Sequence, residues 1–514
     1  MKSNISETKP KLNIYGIFFV ILTSIMVLCY GGFPESTIAI FGMLVAGVFL
    51  GRKIKVRITH SKGIFLIFSL WYFLCSVVNG FVLEYAIRGL IPLLACLFWI
   101  WCSDLGSTKE KIKDVIVEVS LWIAVASIIH CVIISVNAES LRRITFPFDY
   151  SNASGIYFAA CYFMAQKSRD GFLNKCKYIF VLALLLTQSV GAIGLFALVF
   201  LYQLIKDKKY WYTLGIIFGI ILGGFCFKER IIESSGTFIE RLLQIYDGTI
   251  CMTKNPVFGI GAGWWEHAKD HYQTGFYLAK TIHSSIITIG VNSGVIGLIL
   301  FLSVCFLEIR KMAVKKNISI PAVLILTHCF LDFTLSFMAL DVLLVLSLPD
   351  CDDEKAVEVN EIPRKIIAGI LMISFILFTY GIIRVNAFQK NVRTGASESI
   401  SEIKKDFYIR NSIRCVQYSA AQMYQEETAS AELNEISYKY MPIELLLYKS
   451  KCEGGEEYLL KSLEKQPYNT VLRDFIVSDY QGEVSEKASL ILETAATKAS
   501  FFGKILYNIK GENI

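Results

Sequence analysis

"KNPVFGIGAGWWEHAKDHYQTGFYLAKTIHSSIITIGVNSGVIGLILFL", residues 254–302, joins two kinds of sequence. From residue 284 it is an apolar run of membrane-span length. Ahead of that it is rich in glycine, aromatic rings and histidine, which a spanning helix has little use for. A polar loop feeding a span puts this part of the chain at a membrane face. It also marks the loop as more than a connector.

The rest of the chain agrees. Of 514 residues, 54% are hydrophobic, 13% aromatic and only 18% charged, with a mean hydropathy of +0.51. Soluble domains carry about a quarter charged residues, so that class is excluded. Spans are expected at 12–30, 34–51, 63–82, 85–102, 114–136, 148–166, 177–188, 190–205, 210–227, 284–307, 318–332, 334–349 and 365–384. The expected fold is all-α, a polytopic membrane bundle of 12–13 spans. The first span follows Lys2, Lys9 and Lys11 without a small-residue cleavage site, which reads as an uncleaved anchor.

The net charge of +7 does not point to nucleic acid, because the basic residues lie between spans. With a cytoplasmic N-terminus, the inner loops take most of them, Lys109, Lys111 and Lys113 for example. The short outer loops keep only Arg88, Arg142 and Arg143. That alternation puts loop 228–283 outside, together with residues 386–514. Two domains are therefore expected, a membrane domain over 1–385 and an extracytoplasmic helical domain over 386–514. The tail's "PIELLLYKSK" and "EEYLLKSLEKQPYN" suggest helix pairs, either tetratricopeptide-like or irregular. Cysteines such as Cys75, Cys96 and Cys161 fall in apolar stretches as small hydrophobes, and no CxxC pair indicates zinc or a disulfide framework.

Candidate chemistry gathers around the outer loop. Residues 240–251 read as a short amphipathic helix with Arg241 at its start, ended by Pro256. Gly259, Gly261 and Gly263 follow at alternate positions. Glycines there admit left-handed backbone and the close approach of a ligand; alone, they fit a tight re-entrant turn better. Trp264 and its aromatic neighbours anchor at the headgroup level or stack on sugars, anchoring being the commoner use. His267 and His271 stand four apart without a third ligand, so a solvated loop is expected and no metal.

His283 opens the tenth span, and Ile287, Gly290, Gly294 and Gly297 follow on one helix face beneath it. An imidazole at a membrane surface can accept a proton. His328 and Asp332, four apart in an oily span, form either a functional ionisable pair or a mutually satisfied hydrogen bond. Arg142 and Arg143 precede "ITFPFDYSNASGIYFA", with Asn152 near the start of a span. Their anionic partner is a phospholipid headgroup or a substrate phosphate.

Taken in order, "RRITFPFDYSNASGIYFA", "LLLTQSVGAIGLFALVFLY", "ERLLQIYDGTICMTKNPVFGIGAGWW", "HSSIITIGVNSGVIGLILFL" and "THCFLDFTLSF" resemble the O-antigen ligase and O-antigen polymerase family, over roughly residues 140–345. The chain departs from the family pattern at Val190, where arginine is usual after Ser189, and at Asn292, where many members have glutamate. The resemblance implies a bacterial inner-membrane glycosyltransferase. It would move a glycan from an undecaprenyl-diphosphate carrier to a hydroxyl of a glycan, lipid or protein acceptor, without a cofactor. It further implies His283 as base and Arg241, with Arg142 or Arg143, as stabiliser of the departing diphosphate. A transporter or flippase of lipid-linked saccharides is the alternative, although no internal repeat supports it.

Overall fold

In a bilayer every backbone amide and carbonyl must find a partner within the protein, which leaves apolar runs little choice but the helix. A computed structural model describes residues 13–51, 56–211, 214, 228–349, 356–393, 402–427, 430–453 and 455–510. It bears out the all-α class: among the described residues the only strands are Arg57–Ile58 and Val357–Glu358, paired antiparallel. Among the described residues, five helical stretches are long and apolar enough to cross a membrane: His60–Val78, Leu83–Asp104, Gly106–Asn137, Ser285–Val314 and Glu361–Val392. Ile14–Leu28, Glu35–Gly51, Val190–Lys206 and Met338–Ser347 are shorter apolar helices. The span expected at 210–227 lies, but for residues 210, 211 and 214, outside the described residues.

The chain divides into two compact units. One comprises Met1–Ile67, Ile91–Ile216 and Leu302–Ile373, the other Phe68–Leu90, Ile217–Phe301 and Ser374–Ile514. In the first, helix Ser151–Lys167 is buried on every side from Ser151 to Ala165, as a helix apolar all round must be. It packs against Tyr178–Leu186, Val190–Lys206 and Ile320–His328. Gly155 permits the close approach, since a Cβ there would press on Ala192 and Ser189. Tyr178–Leu186 and Ile320–His328 have nine residues each, so both are about 14 Å long against a hydrocarbon core of roughly 30 Å. Their ends bring polar turns into the unit.

The second unit is built around the loop ahead of helix Ser285–Val314. Its core joins Tyr85, Leu243, Cys251, Ile260, Trp264, Trp265, Tyr272, Tyr277, Ile282 and Val291 to Ile413, Tyr440 and Leu506 of the tail. Residues 385 and 386 lie inside helix Glu361–Arg393. Beyond it, Ile413–Gln425 packs on Ile443–Glu453. Leu459, Leu463, Leu472, Ile476 and Ala488, from three later helices, share a smaller core with Leu446. The last helix, Phe501–Lys510, packs on helix Lys228–Lys254.

Candidate functional site

Helix Lys228–Lys254 is longer than the 240–251 segment expected from periodicity. Asn255 and Pro256 end it, with the Asn255 amide donating to the Cys251 carbonyl at 2.9 Å. Arg241 lies half-buried on it. Three residues on, Gln244 is fully buried, 0% exposed. Its Oε1 accepts the backbone N–H of His283 at 3.1 Å, and its Nε2 donates to Glu240 Oε1 at 3.3 Å. The structure thus ties His283 to the face that bears Arg241. His283 stands two residues ahead of helix Ser285–Val314, in the turn leading to it, and is half-buried.

The expected small-residue stripe below His283 is corrected. Gly248 of the preceding helix faces Ile287, and Gly290 faces Met252. At Gly294 the helix breaks, with φ 69° and ψ −174°, a conformation essentially reserved for glycine. A continuous face cannot run through such a break. The glycine loop fills it. Ile260 and Gly261 donate backbone N–H groups to the carbonyls of Val291 and Asn292 at 2.8 and 3.0 Å, and Val295 N–H donates to the Pro256 carbonyl at 2.8 Å. The Ser293 carbonyl is met at 2.9 Å by the Trp71 indole N–H, and that ring stacks on Phe258 at 5.2 Å. Irregular backbone at membrane depth survives only when buried in protein and satisfied there, and this interlock does both. Asn292 adds a 2.7 Å bond from Nδ2 to the Tyr72 hydroxyl.

Gly259, Gly261 and Gly263 all have positive φ. A Cβ on Gly259 would run into the Val291 carbonyl, and one on Gly263 into the Tyr85 ring. These glycines serve close packing of protein on protein. Trp264 is interior, 2% exposed, edge-on to Tyr85 at 5.0 Å and tilted against Tyr438 at 5.7 Å. His271 is half-buried: its Nε2 lies 3.0 Å from the Gln466 amide, and burial lowers its pKa.

Beyond Gln244, helix Lys228–Lys254 carries a second buried polar residue, Asp247, 0% exposed. The Thr274 hydroxyl and N–H donate to its carboxylate at 2.6 and 3.2 Å. Burial pushes this carboxyl up to about 7, against those hydrogen bonds. The Thr274 carbonyl in turn accepts Ser500 N–H at 2.8 Å, so the end of the tail braces the loop. Sequence reading missed both Gln244 and Asp247. Their signal was polarity at core positions of an amphipathic helix, beside Leu243 and Cys251.

In the other unit Asp332 is 1% exposed and organises helix ends. It accepts from the Tyr150 hydroxyl at 2.8 Å, Asn152 Nδ2 at 2.6 Å and Phe333 N–H at 2.8 Å. Asn152 Oδ1 accepts from the Ser189 hydroxyl at 2.8 Å. His328 Nδ1 lies 2.7 Å from Thr334 Oγ1. The Asp332 N–H also donates to the His328 carbonyl at 3.0 Å. Arg143 Nε donates to the Thr187 carbonyl at 2.9 Å, and its Nη2 to that of Gln188 at 3.4 Å. It thereby caps the break between Tyr178–Leu186 and Val190–Lys206, whereas Arg142 is exposed. The sequence-selected residues therefore form two groups, one in each unit: Arg241 and His283 with the glycine loop and Trp264, and Arg142, Arg143 and Asn152 with His328 and Asp332.

Residues 177–302 match the family model described as O-antigen ligase, which bears out the resemblance to that family. Those residues include the break at 187–189, Arg241, the glycine loop, His283 and Gly294. No curated protein matches the chain.

Proposed function

We propose that this chain, a membrane protein similar over residues 177–302 to the O-antigen ligase family, is a glycosyltransferase of the outer face of the bacterial inner membrane. It moves a glycan from an undecaprenyl-diphosphate carrier to an acceptor hydroxyl. One observation carries the chemistry: Gln244 ties the backbone of His283, the base, to the helix that bears Arg241, the cation. The acceptor hydroxyl gives its proton to the His283 imidazole as its oxygen bonds to the anomeric carbon. The bond from that carbon to the diphosphate oxygen breaks, and the electron pair leaves with the diphosphate, whose charge Arg241 meets. Exposed Arg142, in the other unit, is a cation that a phosphate of the lipid-linked donor can meet. The lipid-borne donor is already activated, so the reaction needs no nucleotide sugar.

The broken span at Gly294 bears on the transporter alternative. Transporters leave unwound carbonyls open to their cargo. Here the carbonyls of Val291, Asn292 and Ser293 are bonded to the loop and to Trp71, which favours an enzyme whose broken helix anchors a loop. Extraction of lipid-linked glycans from cells lacking the protein tests the reading. Accumulated single repeat units identify a polymerase, and accumulated full-length chains a ligase. An unchanged lipid-linked pool contradicts transfer.

A further inference from the structure

Gln244 belongs to none of the groups selected from sequence, and the reaction gives it no proton to move. Yet a primary amide with no exposure links the backbone of His283 to the helix that bears Arg241. Its orientation is set from its own helix. Nε2 donates to the Glu240 carboxylate one turn back, which turns Oε1 toward the loop, where it accepts the His283 N–H. The backbone on either side of His283 is held as well. Ile282 is 1% exposed and Ser284 2% exposed, and the Ile282 and Ile287 side chains close on Gly248, one turn beyond Gln244.

We propose that Gln244 is a positioning residue for transfer: it fixes the backbone of His283 against the helix that carries Arg241, and so sets the separation of base and cation. The inference rests on the roles assigned above to His283 and Arg241. Its chemistry requires a group at 244 that donates toward Glu240 and accepts from His283 N–H together. Glutamine does so at any pH. A protonated glutamic acid does the same through its hydroxyl and carbonyl. An ionised glutamate cannot, because it lacks the donor and faces the Glu240 carboxylate. The other charged or titratable groups around it are Arg241 and Asp247 on the same helix, His283 across from it, Lys269 and Tyr277 of the loop, which interact with Glu240 or Asp247, and Asp270, which interacts with those two.

The test uses the purified full-length protein, with lipid-linked glycan extracted from cells lacking the protein as donor. For Gln244→Leu the expected result is a kcat lowered about 10- to 100-fold with KM within about twofold, as for a base misplaced by about an ångström. For Gln244→Glu, activity relative to wild type at the same pH should recover as pH falls, a readout that simple loss of packing does not produce. His283→Ala separates the two levels. If it is inactive while Gln244→Leu is folded and turns over at the wild-type kcat, or Gln244→Glu shows no pH-dependent recovery, the positioning role is wrong and the reading of His283 stands. If His283→Ala retains full activity, both fall.

Discussion

The backbone N–H of Val295 donates to the carbonyl of Pro256 at 2.8 Å, so a loop residue supplies the partner that a break in the helix took away. Gly294 makes that break, and a Cβ there would overlap the carbonyls of Pro256 and Val257. Gly294→Ala should therefore destabilise the protein by about 3 kcal/mol, from backbone strain and loss of the bonds across the break. Thermal unfolding in detergent measures it. A melting temperature equal to wild type would mean the interlock contributes nothing.

Asp247 gives the loop a pH dependence whose sign follows from its raised carboxyl. The group ionises near 7 when folded and near 3.8 at its ordinary value, so between those limits the folded state holds a proton that the unfolded chain has released. Its contribution is full below about pH 4 and is lost as pH rises to about 7, up to roughly 4 kcal/mol in all. Asp270, raised by burial to about 6, acts in the same sense. Melting at pH 8 should fall below that at pH 5, and Asp247→Asn should shrink the gap. A gap equal to that of the wild type would refute the burial of this carboxyl.

The adjacent arginines should separate by effect. Arg143 holds the Thr187 and Gln188 carbonyls, and Arg143→Ala should cost about 2 kcal/mol of stability. Exposed Arg142 has no such duty, so Arg142→Ala should change stability by less than about 0.5 kcal/mol while raising KM for the lipid-linked donor. An Arg142→Ala variant with unchanged KM would show that Arg142 does not meet the donor.

Apolar runs made most of the spans legible, because a helix is the cheapest way to bury backbone in lipid. The start of helix Ser285–Val314 agrees with the expected 284, whereas the helix runs on past the expected end at 307 to Val314. Its break was not legible, since Gly290, Gly294 and Gly297 look alike in sequence and only the partner segment shows which one leaves the helix. The glycine loop read as a tight re-entrant turn, and the structure packs it on another backbone. His328 and Asp332 stood out as polar in oil, but their partners Thr334, Tyr150 and Asn152 come from turns and a helix start whose meeting no local pattern encodes.

Orientation has its own check. The Lys280 side chain is 75% exposed, beside Glu266 at 2.9 Å. A Lys280→Cys variant in a Cys452→Ser background should react with a membrane-impermeant maleimide from the outer side. Labelling only after the membrane is opened would put the loop, and the chemistry assigned to it, on the wrong face.

The most direct measurement is glycan transfer by His283→Ala, expressed in cells lacking the wild-type chain and present in the membrane at the wild-type level. The account predicts no transferred glycan and a swollen pool of the lipid-linked donor. Normal product at normal yield would contradict it.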